Sequence, residues 1–134
     1  MAEPSTFQDG GCMCGAVRYR LTGPFTYSAH CHCRSCQKAL GAGYATFSAV
    51  TPENFEIIKG DMAVYNSSPG VYRGFCKTCG TSLSYWGDAW TDYAILSATL
   101  DDPATATPTR NVFTSHKQPW IALDETLKES PEFP

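Results

Sequence analysis

Seven cysteines fall into three tight groups along the 134 residues: Cys12-Met13-Cys14-Gly15, Cys31-His32-Cys33-Arg34-Ser35-Cys36 and Cys76-Lys77-Thr78-Cys79-Gly80. Thiolates this close in sequence can reach one tetrahedral ion, at about 2.3 Å for zinc. An odd count leaves a thiol over from any complete disulfide framework, so the pattern points to metal. The simplest partition gives the two glycine-terminated pairs, Cys12/Cys14 and Cys76/Cys79, to one closed four-sulfur site. Gly15 and Gly80 tolerate a positive φ, which lets the chain turn sharply with backbone N–H groups facing sulfur. Closing a loop of roughly sixty residues costs only a few kcal/mol of chain entropy. A structural zinc site contributes about 10–16 kcal/mol of apparent binding energy, comparable to the whole net stability of a domain. The metal term wins.

Cys31, Cys33 and Cys36 remain, and three protein ligands with an open fourth position are the pattern of catalytic zinc. Zinc with three thiolates carries a formal negative charge, so it makes hydroxide poorly and suits a soft ligand such as an incoming thiol. Arg34 and Lys38 lie close enough in sequence to offset that charge or to grip a carboxylate. Other readings stay open. His32 or His30 would close the second site into a structural Cys3His knot, although adjacent residues of a strand point opposite ways and His32 would need a bend. A different pairing of clusters, or one zinc with three bystander cysteines, also satisfies the count. His116 has the setting of a surface loop residue, with a catalytic role as the sharper alternative. Trp86, Trp90 and Trp120 suit core or groove walls, and Phe113 and Pro119-Trp120 are candidate linings of the open site.

The elements that must carry these groups alternate with period two. Strands are expected at Val17 to Leu21, Phe25 to Cys31, Tyr44 to Val50, Phe55 to Lys59, Met62 to Tyr65, Val71 to Cys76, Thr81 to Trp86, Tyr93 to Leu100 and Arg110 to Thr114. Turn residues such as Gly23-Pro24, Gly60-Asp61 and Ser68-Pro69-Gly70 separate them. Helical turns are expected over Arg34 to Leu40 and Asp124 to Glu129. The class is mainly β, built of short antiparallel strands with little helix. No repeat or linker divides the chain, giving a single zinc domain over 7–123 and a C-terminal surface tail over 124–134.

Composition limits the partners. Hydrophobic residues are 43% of the chain and the formal net charge is −3, so phosphate backbones are disfavoured and no nucleic acid is expected. No window is apolar enough for a membrane span, and Met1 to Asp9 has neither part of a secretory signal. A cytoplasmic location with reduced thiols is the expectation.

With its three clusters in this order, the chain resembles the glutathione-dependent formaldehyde-activating enzyme family, which also includes centromere protein V. The resemblance runs from Phe7 to Trp120. It rests on Gly11-Cys12-Met13-Cys14-Gly15, the Cys31-to-Cys36 segment, Phe75-Cys76-Lys77-Thr78-Cys79-Gly80, Asn111-Val112-Phe113 and Pro119-Trp120. It implies a β-tent fold around a structural zinc, two Zn2+ per chain, structural ligands Cys12, Cys14, Cys76 and Cys79, and catalytic zinc ligands Cys31, Cys33 and Cys36. The family's named activity is a carbon–sulfur lyase reaction, run in reverse to make S-(hydroxymethyl)glutathione from glutathione and formaldehyde. Within that scheme His32 is the first candidate for the proton donor, and the expected partner is a small thiol such as glutathione. Two further readings compete with the enzyme: a zinc-stabilised binding module without turnover, and a redox-sensitive zinc protein.

Overall fold

The computed structural model describes residues 7–133. Eleven strands and one helix follow in the order β1 (Phe7–Gly11), β2 (Arg18–Thr22), β3 (Tyr27–Cys31), α1 (Arg34–Leu40), β4 (Ala45–Val50), β5 (Phe55–Lys59), β6 (Ala63–Ser68), β7 (Val71–Phe75), β8 (Ser82–Gly87), β9 (Tyr93–Leu96), β10 (Arg110–Val112) and β11 (Lys128–Ser130). They form a small sheet, β1-β2-β5, and a large one, β11-β10-β3-β4-β9-β8-β7-β6.

Alternation in β2 drives the packing of one sheet on the other. Tyr19 and Leu21 point inward and are buried, whereas Arg18 and Arg20 point out. Arg20 pairs with Asp9 of β1 and Arg18 with Asp101, which fastens the small sheet to the loop after β9. Central strand β9 is buried on both faces, and its residues divide two cores. Tyr93 and Ile95 join Tyr19, Leu21, Val50 and Leu83 between the sheets. Ala94 and Leu96 join Ala29, Phe47 and Val112 on the opposite face, as the period-two geometry of a strand requires. Cys12 and Cys76 belong to the first core, Cys31 and Cys36 to the second.

The strand pattern expected from sequence is present, with boundary shifts and four corrections. β1 was not expected: Phe7-Gln8-Asp9-Gly10-Gly11 has no alternation, and it becomes a strand because it is one arm of the hairpin whose loop carries Cys12 and Cys14. The strand expected through Leu100 ends at Leu96 and continues as a 3-10 turn over Ser97–Thr99. Strand pairing is not antiparallel throughout, since β10 runs parallel to both β3 and β11. A long connection, not a tight turn, returns the chain to β10 and so permits that direction. The helical turn expected over Asp124 to Glu129 is absent, and Lys128 to Ser130 pair with Arg110 to Val112 instead. The segment expected as a tail thus returns to the sheet edge. Met1 to Thr6, read for a signal, lie outside the described residues.

Candidate functional site

The two cysteine groups are delivered by different local structures. Cys12 and Cys14 sit in the β1–β2 hairpin loop, and Cys76 and Cys79 in the β7–β8 hairpin loop, one from each sheet. The loops share a design. Gly15 (φ 78°) and Gly80 (φ 82°) both occupy the left-handed region, which non-glycine residues enter at a cost. The Gly15 N–H bonds back to the Cys12 carbonyl at 3.1 Å, and that of Gly80 to the Cys76 carbonyl at 2.7 Å. The Val17 N–H points at Cys12 Sγ, 3.2 Å away. The Thr81 hydroxyl lies 3.1 Å from Cys79 Sγ, and with the backbone N–H it holds that thiol down to about 5.

The four sulfurs lie within 4.8 Å of one another. Neighbouring sulfurs are 3.7 Å (Cys12 to Cys14) and 3.8 Å (Cys14 to Cys76) apart. A regular tetrahedron with arms of about 2.3 Å has edges of about 3.8 Å, so both donor type and spacing fit a four-sulfur metal site.

Cys31, Cys33 and Cys36 form the second group, also within 4.8 Å, with 3.6 Å between the sulfurs of Cys31 and Cys36. Cys31 ends β3. Cys33 is the N-cap of α1, its sulfur accepting the Cys36 N–H at 3.3 Å. These contacts split the thiols: hydrogen bonds to Cys33 and Cys36, with burial, drive Cys31 far up, while those to Cys31 and Cys36 hold Cys33 far down. One sulfur ionises at its neighbours' expense, and three thiolates together call for a cation among them. The donor set and the edge length again fit zinc.

A cation that the sequence did not announce lies against this group. Arg73 of β7 reaches Cys36 Sγ (3.7 Å) and Ser35 Oγ (3.3 Å) through Nη2, and its guanidinium lies 3.9 Å over the Tyr85 ring. Arg73 and Tyr85 are directly opposite across the β7–β8 hairpin, so the hairpin register held a signal for that pair. Arg34, the expected charge partner, bonds Gln37 instead.

A cavity of about 580 Å³ is lined by Cys31, Cys33 and Ser35, and by none of the four cysteines of the first group. Phe113 lines it as expected, and so does Trp90. Phe113 has φ 56°, a costly backbone state for a bulky residue, and it turns the chain where its ring meets the cavity. Trp120 is 69% exposed and lies over Gly43, away from the cavity. Phe133 also lines it, held there because the backbone N–H groups of Phe113 and Ser115 bond the carbonyls of Glu132 and Pro131. Nothing in the sequence around Phe133 signals that position.

The histidines stand apart from the sulfurs. His30 points to the other face of β3 from Cys31 and bonds Thr46 at 2.8 Å. His32 is fully buried, with Nε2 2.9 Å from Asn111 Oδ1 of β10. It is neither in the sulfur group nor in the cavity lining, so it braces the β3–β10 seam and is not placed to hand a proton to a molecule in the cavity. His116 is a surface residue paired with Glu132 at 3.4 Å.

Comparison with known proteins adds four findings. The profile of the family described as glutathione-dependent formaldehyde-activating enzyme matches residues 7–116. A Halomonas elongata protein named "Putative glutathione-dependent formaldehyde-activating enzyme" is 25% identical over 127 residues, covering 87% of this chain and 80% of its own length. An uncharacterized lyase of Schizosaccharomyces pombe is 25% identical over 130 residues, covering 90% and 94%. Among solved structures, a Rhodobacter sphaeroides protein shares the fold, with a TM-score of 0.58 at 22% identity over 69% of this chain and 87% of its own.

Proposed function

The chain belongs to the glutathione-dependent formaldehyde-activating enzyme family, and from that premise we propose that it is a zinc-dependent carbon–sulfur lyase acting on thiol adducts of a small aldehyde. The observation that carries the reading is the opening of Cys31 and Cys33 onto the cavity, while the four-sulfur group lines none of it. In the synthetic direction the thiol sulfur of R–SH forms a bond to the carbonyl carbon of formaldehyde. The carbonyl π pair moves onto oxygen, and the proton leaving sulfur ends on that oxygen, giving R–S–CH2–OH. Cleavage reverses each movement.

Cys31, Cys33 and Cys36 would hold the catalytic zinc, and Cys12, Cys14, Cys76 and Cys79 a structural one. Zinc held by those three cysteines would supply Lewis acidity, lowering the pKa of a thiol beside it. The side chains around it do the rest. Ser35 lines the cavity, its Oγ accepting from Arg73 and lying 3.4 Å from Cys33 Sγ, so that its O–H donates to that sulfur and can turn from it toward a molecule in the cavity. We assign Ser35 the transfer of the proton to the developing alkoxide. Arg73 offsets the negative charge gathered on the sulfurs. His32 is a positioning residue, holding the Cys31–Cys33 segment against β10 through Asn111. The aromatic walls keep water from competing for the aldehyde.

The test is the exchange rate of formaldehyde with a thiol panel, measured by exchange NMR on the zinc-loaded protein against the spontaneous rate. We expect a catalysed rate that Cys33→Ala reduces to background with an unchanged far-UV CD spectrum. Turnover surviving Cys33→Ala, or no rate above background with any thiol, would sink the reading.

A further inference from the structure

The walls of the cavity carry information about the part of the substrate that does not react. Two runs of aromatic rings line it. Phe47, Tyr85 and Trp90 follow one another at centroid separations of 5.3 and 4.9 Å, the second edge-to-face. Tyr27, Phe133 and Phe113 follow at 6.1 and 6.5 Å. Trp90 lies tight against the backbone, since a Cβ on Gly87 would come within 2.8 Å of its ring. Such rings are spaced to offer a further aromatic group the offset and edge contacts they already make among themselves.

Charge points the same way. Apart from the cysteines, the one ionisable acid or base in the described lining besides the tyrosines is Asp92. No lysine or arginine of the described residues lines it. Arg73 lies behind Tyr85, with Nε on Ser67 and Nη2 on Ser35 and Cys36. Glutathione brings two carboxylates and one ammonium. Moving carboxylates out of water is unfavourable without a paired donor set, and Asp92 adds like-charge repulsion. Size does not decide the matter, because 580 Å³ lies within the range of about 300–1,000 Å³ usual for small-molecule sites.

We propose that the thiol adduct taken by this cavity carries a neutral, aromatic-sized apolar group and not the carboxylate-bearing peptide of glutathione. The proposal rests on the lyase reading for its chemistry, and on the lining alone for its substrate class. The reaction is the balanced addition given above, with an arylalkyl group as R.

Two thioethers that cannot ionise at sulfur, benzyl methyl sulfide and S-methylglutathione, separate the lining from the metal. Their binding to the zinc-loaded full chain is read by calorimetry and tryptophan fluorescence. Benzyl methyl sulfide should bind at least about tenfold more tightly. Phe133→Ala and Trp90→Ala, at residues 57% and 40% exposed and so tolerant of truncation, should weaken it severalfold and leave S-methylglutathione unmoved. Asp92→Lys should strengthen S-methylglutathione only. Equal or tighter binding of S-methylglutathione to the unaltered protein overturns the proposal. Turnover with phenylmethanethiol and with glutathione then distinguishes the two readings. Glutathione as the better thiol leaves the lyase and removes this substrate class. Aryl-selective binding with no turnover of any thiol leaves the substrate class and removes the lyase.

Discussion

At the first cysteine group each pair of sulfurs arrives on a hairpin loop closed by a left-handed glycine, and the two hairpins belong to different sheets. At the second, three sulfurs come from six consecutive residues spanning the end of β3 and the first turn of α1. The first group joins distant parts of the chain and lies against the core between the sheets; the second joins only near neighbours and opens onto a cavity on the other face. One donor type thus stands in two topologies, and under the proposed reading topology decides which end each serves. A metal across two hairpins stabilises the fold because the unfolded chain cannot present four sulfurs together. A metal on one short segment would add little to long-range order, and under the proposed reading its remaining position is the one the thiol takes.

The sharpest way to break that contrast is to remove one sulfur from each group. Cys76→Ser should abolish cooperative unfolding in urea, because the lost site is worth about 10 kcal/mol or more against a net stability of about 5–15 kcal/mol. Cys33→Ala should lower the metal count by one in native mass spectrometry and shift the urea midpoint far less than Cys76→Ser. Chelation run stepwise on the unaltered protein should follow the same order, the three-cysteine metal leaving first and the CD spectrum collapsing only with the second. Equal unfolding by both substitutions, or simultaneous loss of both metals, would erase the distinction.

Much of this contrast was legible before any coordinates. Glycine directly after the second cysteine of each outer pair signals a tight loop, and the first and third clusters flank alternating runs that must be strands. Helix α1 starts and stops where the residues after Cys33 expect it, with Gly41 in the left-handed region as its cap. The walls of the open site were legible only in part. Phe113 stood in a quoted motif, but Phe133 lies in a stretch with no alternation, and β11 forms only because β10 offers it an edge. His32 looked like a ligand or acid because of its neighbours in sequence. Its ring instead follows the chain's departure from β3 toward Asn111, a partner 79 positions away. Tyr85 and Arg73 reach the site through strand register and Asp92 through the loop before β9, and hydrophobic periodicity alone fixes neither.

Phe113 offers a smaller and more local test of the open face. Its φ of 56° costs an L side chain on the order of 1–2 kcal/mol, so the site stores strain that the closed group avoids by using glycine. Phe113→Gly and Phe113→Ala both lose the ring, but only the first relieves the backbone. The glycine variant should be the more stable of the two by about 1 kcal/mol in urea melts, and both should bind cavity ligands equally poorly. A more stable alanine variant would show that strain is not what distinguishes the two faces.

The smallest expected effect lies on the closed side, in the ion pair that ties the small sheet to the loop after β9. The hydrogen bond from Arg18 holds Asp101 below its usual carboxylate range, with burial working against it. A depressed folded-state value means that the pair's stabilisation is present above the unfolded pKa of about 3.9 and is lost as pH falls through the lower folded one. Asp101 is 55% exposed at the side chain, so solvent screening keeps the whole contribution within about 1 kcal/mol. Acid also protonates metal-bound thiolates, and a simple pH melt would confound the two. The informative quantity is the stability difference between the unaltered protein and Asp101→Asn, followed from pH 7 downward at fixed salt. It should be small and constant to about pH 5 and shrink below it, while the metal term, common to both proteins, cancels. A difference that grows on acidification would mean that the carboxylate, once neutral, still holds the small sheet in place, and that the closed cluster leans on it for more than charge.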